Sequence, residues 1–532
     1  MNKPLLLSLA AAALLGTNLN AQTMFERFEA MEREMNNLKQ QIATLKANQA
    51  ASEAEDEEDE EEAEVASNDS KQDVPVALKS VVGNEDDEDD EDEDDEDDIA
   101  SDEERITELE ESVSELVRNT SGSHLKFKVD YRFAIENMSY EMADGTKAKN
   151  DAFMTNRLWI DMGYKATNNL TFKGQLAYNK AFGQRSGAST PANASLEAFD
   201  WLANENAYDD TIRVRSAYFL WQDTEFMGLD IPWTLSIGRR PSTGGHLINL
   251  RDDDHANSPV GHAINVEFDG LSSKFTLNKD WGTSIKFCMG RGMSNAQPRM
   301  AATAYATDTN TSVANPNIDL GGFIFTPYDD KQYKISSMYY YANNLIDLRD
   351  YTDQTQGFDT VGGLHSLTTY FTVTGIGNEW SDFLDETTFF ASFSVSKSDP
   401  KGGQTMFGSP ESETGTSYWV GLQIPSLLTE DGRWGFEYNH GSRYWRAITY
   451  GEDTNIGSKI AARGDAYEAY FTEYLVDDIL SMQLRYTYID YKYTGSNGFF
   501  GSQTGSANLI TSSMPGIVDT AEDIRFYLRY RY

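Results

Sequence analysis

One cysteine, Cys288, stands in the 532-residue sequence. With no second thiol, an intrachain disulfide framework and a cysteine-built zinc site are both excluded. Basic residues are also scarce: 44 Lys and Arg face 86 Asp and Glu, a formal net charge of -42. That balance excludes a nucleic-acid partner, because a phosphate backbone needs a basic surface. Beyond the N-terminus no apolar run approaches the roughly 20 residues of a membrane helix, and the mean hydropathy is -0.55. No glycine-rich phosphate loop, haem-attachment CxxCH or nucleophile-elbow pattern occurs. Of the six histidines, His246, His255 and His262 bracket an acidic trio in no metalloprotease spacing. His124, His365 and His440 lack a patterned serine partner. The sequence therefore predicts no enzyme, no metal site and no cofactor.

What is present starts with an export signal. Lys3, an apolar core from Leu5 to Leu15 and the small-residue exit Leu19-Asn20-Ala21 predict a signal peptide over 1–21. In 24–47, Phe28, Met35 and Ile42 fall at one heptad position and Met24, Met31, Leu38 and Leu45 at the other, which predicts a short coiled coil. Residues 48–104 form an acidic spacer in which Glu85 to Asp98 is unbroken carboxylate. Such blocks repel themselves and bury no core. Lacking the oxygen-ligand spacing of a calcium loop, they are expected to hold divalent cations only diffusely. Ile106, Leu109, Val113 and Leu116 resume the helical spacing in a short helix over 105–118.

From 124 to 532 the pattern changes to period two. In the first run Leu125, Phe127, Val129, Tyr131, Phe133 and Ile135 point one way, and Lys126, Lys128, Asp130, Arg132 and Glu136 the other. Leu158, Ile160, Met162 and Tyr164 likewise oppose Arg157, Trp159 and Asp161, and Leu484 and Tyr486 oppose Gln483 and Arg485. Sixteen such runs are placed at 124–137, 151–164, 170–180, 211–221, 231–240, 260–269, 280–289, 318–327, 331–341, 364–374, 387–395, 416–424, 432–440, 466–474, 479–490 and 523–532. Short and long gaps alternate between them. The fold class expected is all-β, a transmembrane antiparallel β-barrel of about 16 strands, within 14 to 18. A large soluble all-β protein is the alternative. Short turns then face the periplasm together with the N-terminal extension, and long loops such as 441–465 face outside. The 28 tyrosines suit interfacial girdles against membrane lipid and lipopolysaccharide.

The last run alternates Phe526, Leu528, Tyr530 and Tyr532 against Tyr527, Arg529 and Arg531. An alternating last strand with a terminal aromatic resembles the assembly signal of Gram-negative outer-membrane barrels. That resemblance implies an outer-membrane location and recognition by the barrel-assembly machinery. The MEREMNNLKQQIATLK start and the segment from Gly238 to Asp254 are similar to an uncharacterised porin-like outer-membrane family of sulfur-metabolising epsilon-class proteobacteria (DUF3373-like). The acidic spacer departs from the compact N-terminus such proteins would carry.

At sixteen strands a lumen holds water, and an inward loop can narrow it. The segment from Pro241 to Pro259 is the candidate constriction, with Arg251, Asp252, Asp253 and Asp254 at its tip. Lys126, Lys128, Arg132, Arg157, Arg213, Arg215, Lys286 and Arg485 are expected on the facing wall, with Cys288 a small wall residue beside Lys286. Acids opposite bases would set a transverse field that favours small polar solutes. Residues 124–532 hold 35 basic and 49 acidic side chains, a difference of -14 that leans toward cations or neutral solutes. The expected function is a porin or channel, a homotrimer by fold-level analogy. The rival reading is a structural tether or adhesin joining the outer membrane to other envelope layers.

Overall fold

In the computed structural model, residues 125–532 are described apart from 184–211, 294–295, 298–306, 309–316 and short gaps at 354–355, 378–379, 430 and 450. The expected signal peptide, coiled coil, acidic spacer and short helix, 1–118, lie outside the described residues.

Alternating sequence becomes extended chain sixteen times. The strands are β1 (Leu125–Met142), β2 (Lys147–Lys165), β3 (Leu170–Ala181), β4 (Arg213–Asp223), β5 (Trp233–Arg240), β6 (Phe268–Asn278), β7 (Thr283–Met293), β8 (Ile318–Asp329), β9 (Tyr333–Leu348), β10 (Phe358–Thr374), β11 (Thr388–Pro400), β12 (Thr414–Pro425), β13 (Arg433–Gly441), β14 (Gly464–Val476), β15 (Leu480–Tyr491) and β16 (Val518–Arg531). Each pairs antiparallel with its neighbour, and β16 returns to β1 to close the barrel. In the closing register Asp130 faces Arg531 and Arg132 faces Arg529. Closure leaves no sheet edge, so every ladder has a partner.

Because side chains alternate across a strand, closure sorts them into two populations. Phe127, Phe219, Met289, Phe323, Leu367, Phe393, Phe436, Leu484 and Ile524 lie exposed on the outer surface. Asp130, Arg132, Arg157, Arg215, Glu437, Glu468, Arg485, Arg525 and Arg529 are buried inside. No described helix is long and apolar enough to cross a membrane, so strands alone form the wall.

One expected strand is misplaced. The run 260–269 is mostly loop, and the true sixth strand occupies the stretch expected as a turn, with 279–282 as the actual turn. Ile264 and Val266 do alternate, but they are buried within the lumen. An extended segment with one face on a core carries the same period as a wall strand. The first hairpin is also tighter than expected: β1 and β2 run on past 137 and before 151, leaving only 143–146 between them.

A second correction concerns the loops. Segment 442–463, expected on the outer surface, lies inside the barrel: Trp445, Arg446, Ala447, Ile448, Lys459, Ile460, Ala461 and Arg463 are all buried. It packs beside the β5–β6 segment, 241–267, and the two bond to each other: Ile448 N donates to Ala263 O and Asn265 N to Ile448 O, both at 2.9 Å. Glycines admit this second loop. A Cβ on inward-facing Gly415 would lie 2.1 Å from the Trp445 backbone nitrogen, and one on Gly441 2.0 Å from the Ala462 carbonyl oxygen.

Candidate functional site

The barrel interior has two unlike walls. Along β8 to β12 the inward row is apolar and hydroxylic, with Leu320, Met338, Tyr340, Leu364, Phe390 and Trp419 among Ser366, Thr368, Ser392, Ser394 and Ser417. The apolar side of the in-folded loops, including Leu247, Ile248, Val260, Ile264, Trp445 and Ile448, forms one buried cluster with it. His262 bridges wall hydroxyls there, Nδ1 to Ser392 at 2.7 Å and Nε2 to Ser417 at 2.8 Å. Its burial pushes the imidazole down to about 3, so it stays neutral.

Across the lumen the wall is ionic. Its register sets Arg485 opposite Arg525, Arg529 opposite Arg132, and Arg132 opposite Arg157. Like charges facing one another destabilise a ladder. Carboxylates from the wall and from both loops offset this. Arg529 holds Asp130 and, at 2.9 Å, Asp254. Arg525 meets Glu136 at 2.9 Å and Asp453 at 3.3 Å, while a second nitrogen of Arg132 reaches Asp453 at 2.6 Å. Burial opposes the charge on Asp453, yet Arg132 and Arg525 outweigh it and hold the carboxyl well below the usual range.

The first loop is built to deliver its tip to this wall. Ser242 Oγ donates to the Val266 carbonyl and Thr243 Oγ1 to Glu267 at 2.7 Å, so the segment leaves and rejoins the wall at one place. A short parallel pairing of Gly245–His246 with Asn257–Val260 closes its neck. Between them a one-turn helix, α1 (Ile248–Asp252), is flanked by Leu247 at φ 82° and Asp253 at φ 49°. Left-handed backbone at two non-glycine residues is strained, and burial of Leu247 and Ile248 together with the ion pairs of the tip holds it.

All four expected tip residues reach the ionic wall. Arg251, 1% exposed, donates to Glu468 at 3.2 Å and to the Glu452 carbonyl at 2.6 Å, and its own carbonyl accepts from Gln483 at 2.9 Å. Asp252 accepts from Tyr527 at 3.3 Å, and its carbonyl from Arg529 at 3.0 Å. Asp253 faces Arg433 at 3.5 Å and accepts from Tyr474. Asp254 pairs with Arg529 and, at 3.1 Å, with Arg531. Burial works against ionised Asp252, but Arg251 prevails and its carboxyl stays below the usual value.

Of the expected wall residues, Arg132, Arg157, Arg215 and Arg485 are buried in the ionic half. Lys286, on β7, donates to Ser258 of the first loop. Arg213 is half-buried at the start of β4, and Lys126 and Lys128 are exposed at the start of β1, away from the tip contacts. Cys288 is half-buried on β7. The bracketing histidines separate: His246 stacks on Tyr370, His262 bridges serines, and His255 lines a polar cavity.

Sequence reasoning missed the second loop and therefore Asp453, Lys459 and Arg463. Lys459 pairs with both Glu437 and Glu468. Arg463 donates to the carbonyls of Thr494 and Gly505, at 2.8 and 2.9 Å, tying this loop to the one after β15. A signal was present: one Trp, three Ile and three Ala in 442–463 are more apolar than a solvated loop requires. Arg525 and Arg529 were legible too, standing on the inward register of the last strand.

Solved structures that resemble the chain include in-vitro folded OmpT, an outer membrane protein of Vibrio cholerae, at 11% identity and a TM-score of 0.40 over 77% of this chain and 97% of that one. Salmonella typhi OmpF in complex with daunomycin is 10% identical, TM-score 0.40, over 76% and 98%. The anion-selective porin from Comamonas acidovorans is 9% identical, TM-score 0.40, over 76% and 100%. At these values the likeness carries no functional weight, and the barrel rests on the chain's own ladders. No curated protein matches the sequence. The family described as "Protein of unknown function (DUF3373)" matches residues 147–532, and the chain belongs to it.

Proposed function

We propose that the chain is an outer-membrane channel for passive diffusion of small hydrophilic solutes. The observation that carries this is the sorting of side chains by closure, apolar and aromatic outside and ionic inside. Hydrophobic surface on that scale needs lipid or a partner to cover it, and a charged interior suits a wet lumen. The rim of mostly short turns then faces the periplasm, and the long loops, with the short 143–146 turn beside them, begin at the outer rim. The segment 241–259 with Arg251, Asp252, Asp253 and Asp254 narrows the pore, and Arg132, Arg157, Arg215 and Arg485 supply the opposing charge. Segment 442–463 narrows it further, so the conductance should be small for a barrel of this width. The acid excess favours a weak preference for cations. Phe526, Leu528, Tyr530 and Tyr532 act as the assembly signal; the N-terminal heptads favour self-association, and the homotrimer follows by analogy with general porins.

Swelling of liposomes loaded with solutes of increasing size, together with the reversal potential in asymmetric KCl, tests this reading. Passage of small sugars and a modest cation preference are expected. An anion preference would remove the charge assignment. Liposomes that do not swell, with the barrel shown to be inserted, would favour a tether or adhesin instead.

A further inference from the structure

Between the first four strands and the in-folded loops lies a polar cavity of about 270 Å³. A cavity of roughly 150 Å³ holds benzene, so there is room for a small organic solute. On its wall Arg157, Trp159 and Asp161 stand at alternate positions of β2 and therefore on one face, spanning about 13 Å along the strand. The Arg157 guanidinium carbon sits 3.5 Å from the Trp159 ring centroid and that of Arg215 3.9 Å. Two cations against one indole hold both guanidiniums in place by cation–π attraction.

The charges lining this cavity are unevenly satisfied. Asp252, Asp254 and Asp453 are all engaged by arginines. Arg157 is not fully met: its carboxylate partner Asp130 lies 3.3 Å away and is held more closely by Arg529. Arg157 Nε and Trp159 Nε1 have no hydrogen-bond partner, although both residues are more than nine-tenths buried. A buried donor left unmade costs about 1–3 kcal/mol, so a ligand acceptor would be favoured there. On the acid side, Asp161 accepts a hydrogen bond from the neutral amide of Gln175, at 2.7 Å, with the charges of Arg215 and Lys128 in its surroundings. Glu452 is held by the hydroxyls of Thr449 and Ser458, with Oε2 unpartnered. The cavity therefore offers unmet donors on Arg157 and Trp159 and the Asp161 carboxylate on one face of β2, with Glu452 on the facing loop.

We propose that this cavity binds a small zwitterionic solute of amino-acid type, its carboxylate toward Arg157 and Trp159 and its ammonium toward Asp161. The assignment rests on the channel reading, whose solute class it names. A simple anion would leave the Asp161 carboxylate bonded only to a neutral amide, and a simple amine would leave the Arg157 and Trp159 donors without an acceptor. A zwitterion answers both without adding net charge to a buried site.

Calorimetry on the detergent-solubilised full chain, with L-glutamine as probe and butyrate, butylammonium and glucose as controls, tests the site without requiring any current. Glutamine should bind at least tenfold more tightly than each control. Asp161→Asn keeps the hydrogen bond to Gln175 and should weaken glutamine about tenfold while leaving butyrate unchanged; Arg157→Gln should weaken both. Trp159→Phe preserves the stacked ring, removes only the N–H and should weaken glutamine severalfold, a variant that guards against loss of folding in the other two. Equal binding of all four probes, no binding of glutamine to the wild type, or full affinity in Trp159→Phe and Asp161→Asn would each overturn the proposal. A silent bilayer with glutamine still bound would remove the channel reading and leave the site; current without glutamine binding would do the reverse.

Discussion

The two walls of the barrel interior hold the same loops by opposite means. Along β8 to β12, apolar side chains and hydroxyls meet Leu247, Ile264, Trp445 and Ile448. Along β13 to β16 and β1 to β2, wall arginines meet Asp254 and Asp453 of the loops, and the wall's Glu468 meets Arg251. Hydrophobic packing is non-directional, whereas a row of guanidiniums accepts a carboxylate at only a few places. The apolar wall supplies adhesion, and the ionic wall fixes the register at which each loop tip sits. Glu452 and Asp453, at φ 39° and 63°, carry backbone strain at the point where the second loop meets the arginines.

Breaking each anchor should separate the two. Asp453→Asn leaves Arg132 and Arg525, which share this carboxylate, with less counter-charge, and should destabilise the loop by about 3–5 kcal/mol. The expected signs are a lower melting temperature and protease cleavage within 442–463. Trp445→Ala empties a fully buried site on the other wall and should cost a similar ~3–5 kcal/mol.

Acid should loosen one wall before the other. His262 titrates near 6.5 when unfolded and near 3 when buried, so below 6.5 the unfolded chain takes up a proton that the folded chain refuses. Its contribution is full above about 6.5 and falls by about 1.4 kcal/mol per pH unit on the way down to 3. Asp453, held below the usual carboxylate value of 3.8, has the same sign in a lower window: its contribution is full above that value and is lost as the pH falls from there through its depressed one. Between pH 6 and 4 the apolar wall should therefore weaken first, and His262→Gln should lessen the fall in melting temperature across that window, with His246, pushed down to about 3 by its own burial, still contributing.

Two smaller substitutions sharpen the contrast. Gly415→Ala places a methyl against the Trp445 backbone and should cost about 1–3 kcal/mol by overpacking, with the loop displaced rather than the barrel opened. Lys286→Gln, away from both anchors, loses one contact to Ser258 and should cost about 1 kcal/mol. Thermal melting monitored by gel migration of the folded barrel reads both.

The wall was legible in the sequence because closure demands strict alternation, and alternation survives reading without a structure. The β16 run from Ile524 to Arg531 is the plainest case. Strand β6 was not, since Gly270, Ser272 and Ser273 give FDGLSSKFTLN a weak contrast while neighbouring 260–267 alternates for another reason. The tip of the first loop could be read from Arg251 to Asp254, because four charges after an apolar patch need a wall to meet. Asp453 could not: its role depends on Arg132, 321 residues away, and on a loop whose inward course period-two reasoning does not encode.

Single-channel recording of the purified full chain in planar bilayers tests the central claim most directly. Steady open steps of small conductance, increasing in Asp453→Asn as the second loop loosens, are expected. Bilayers that stay silent with folded protein shown to be inserted, in wild type and variant alike, would contradict it.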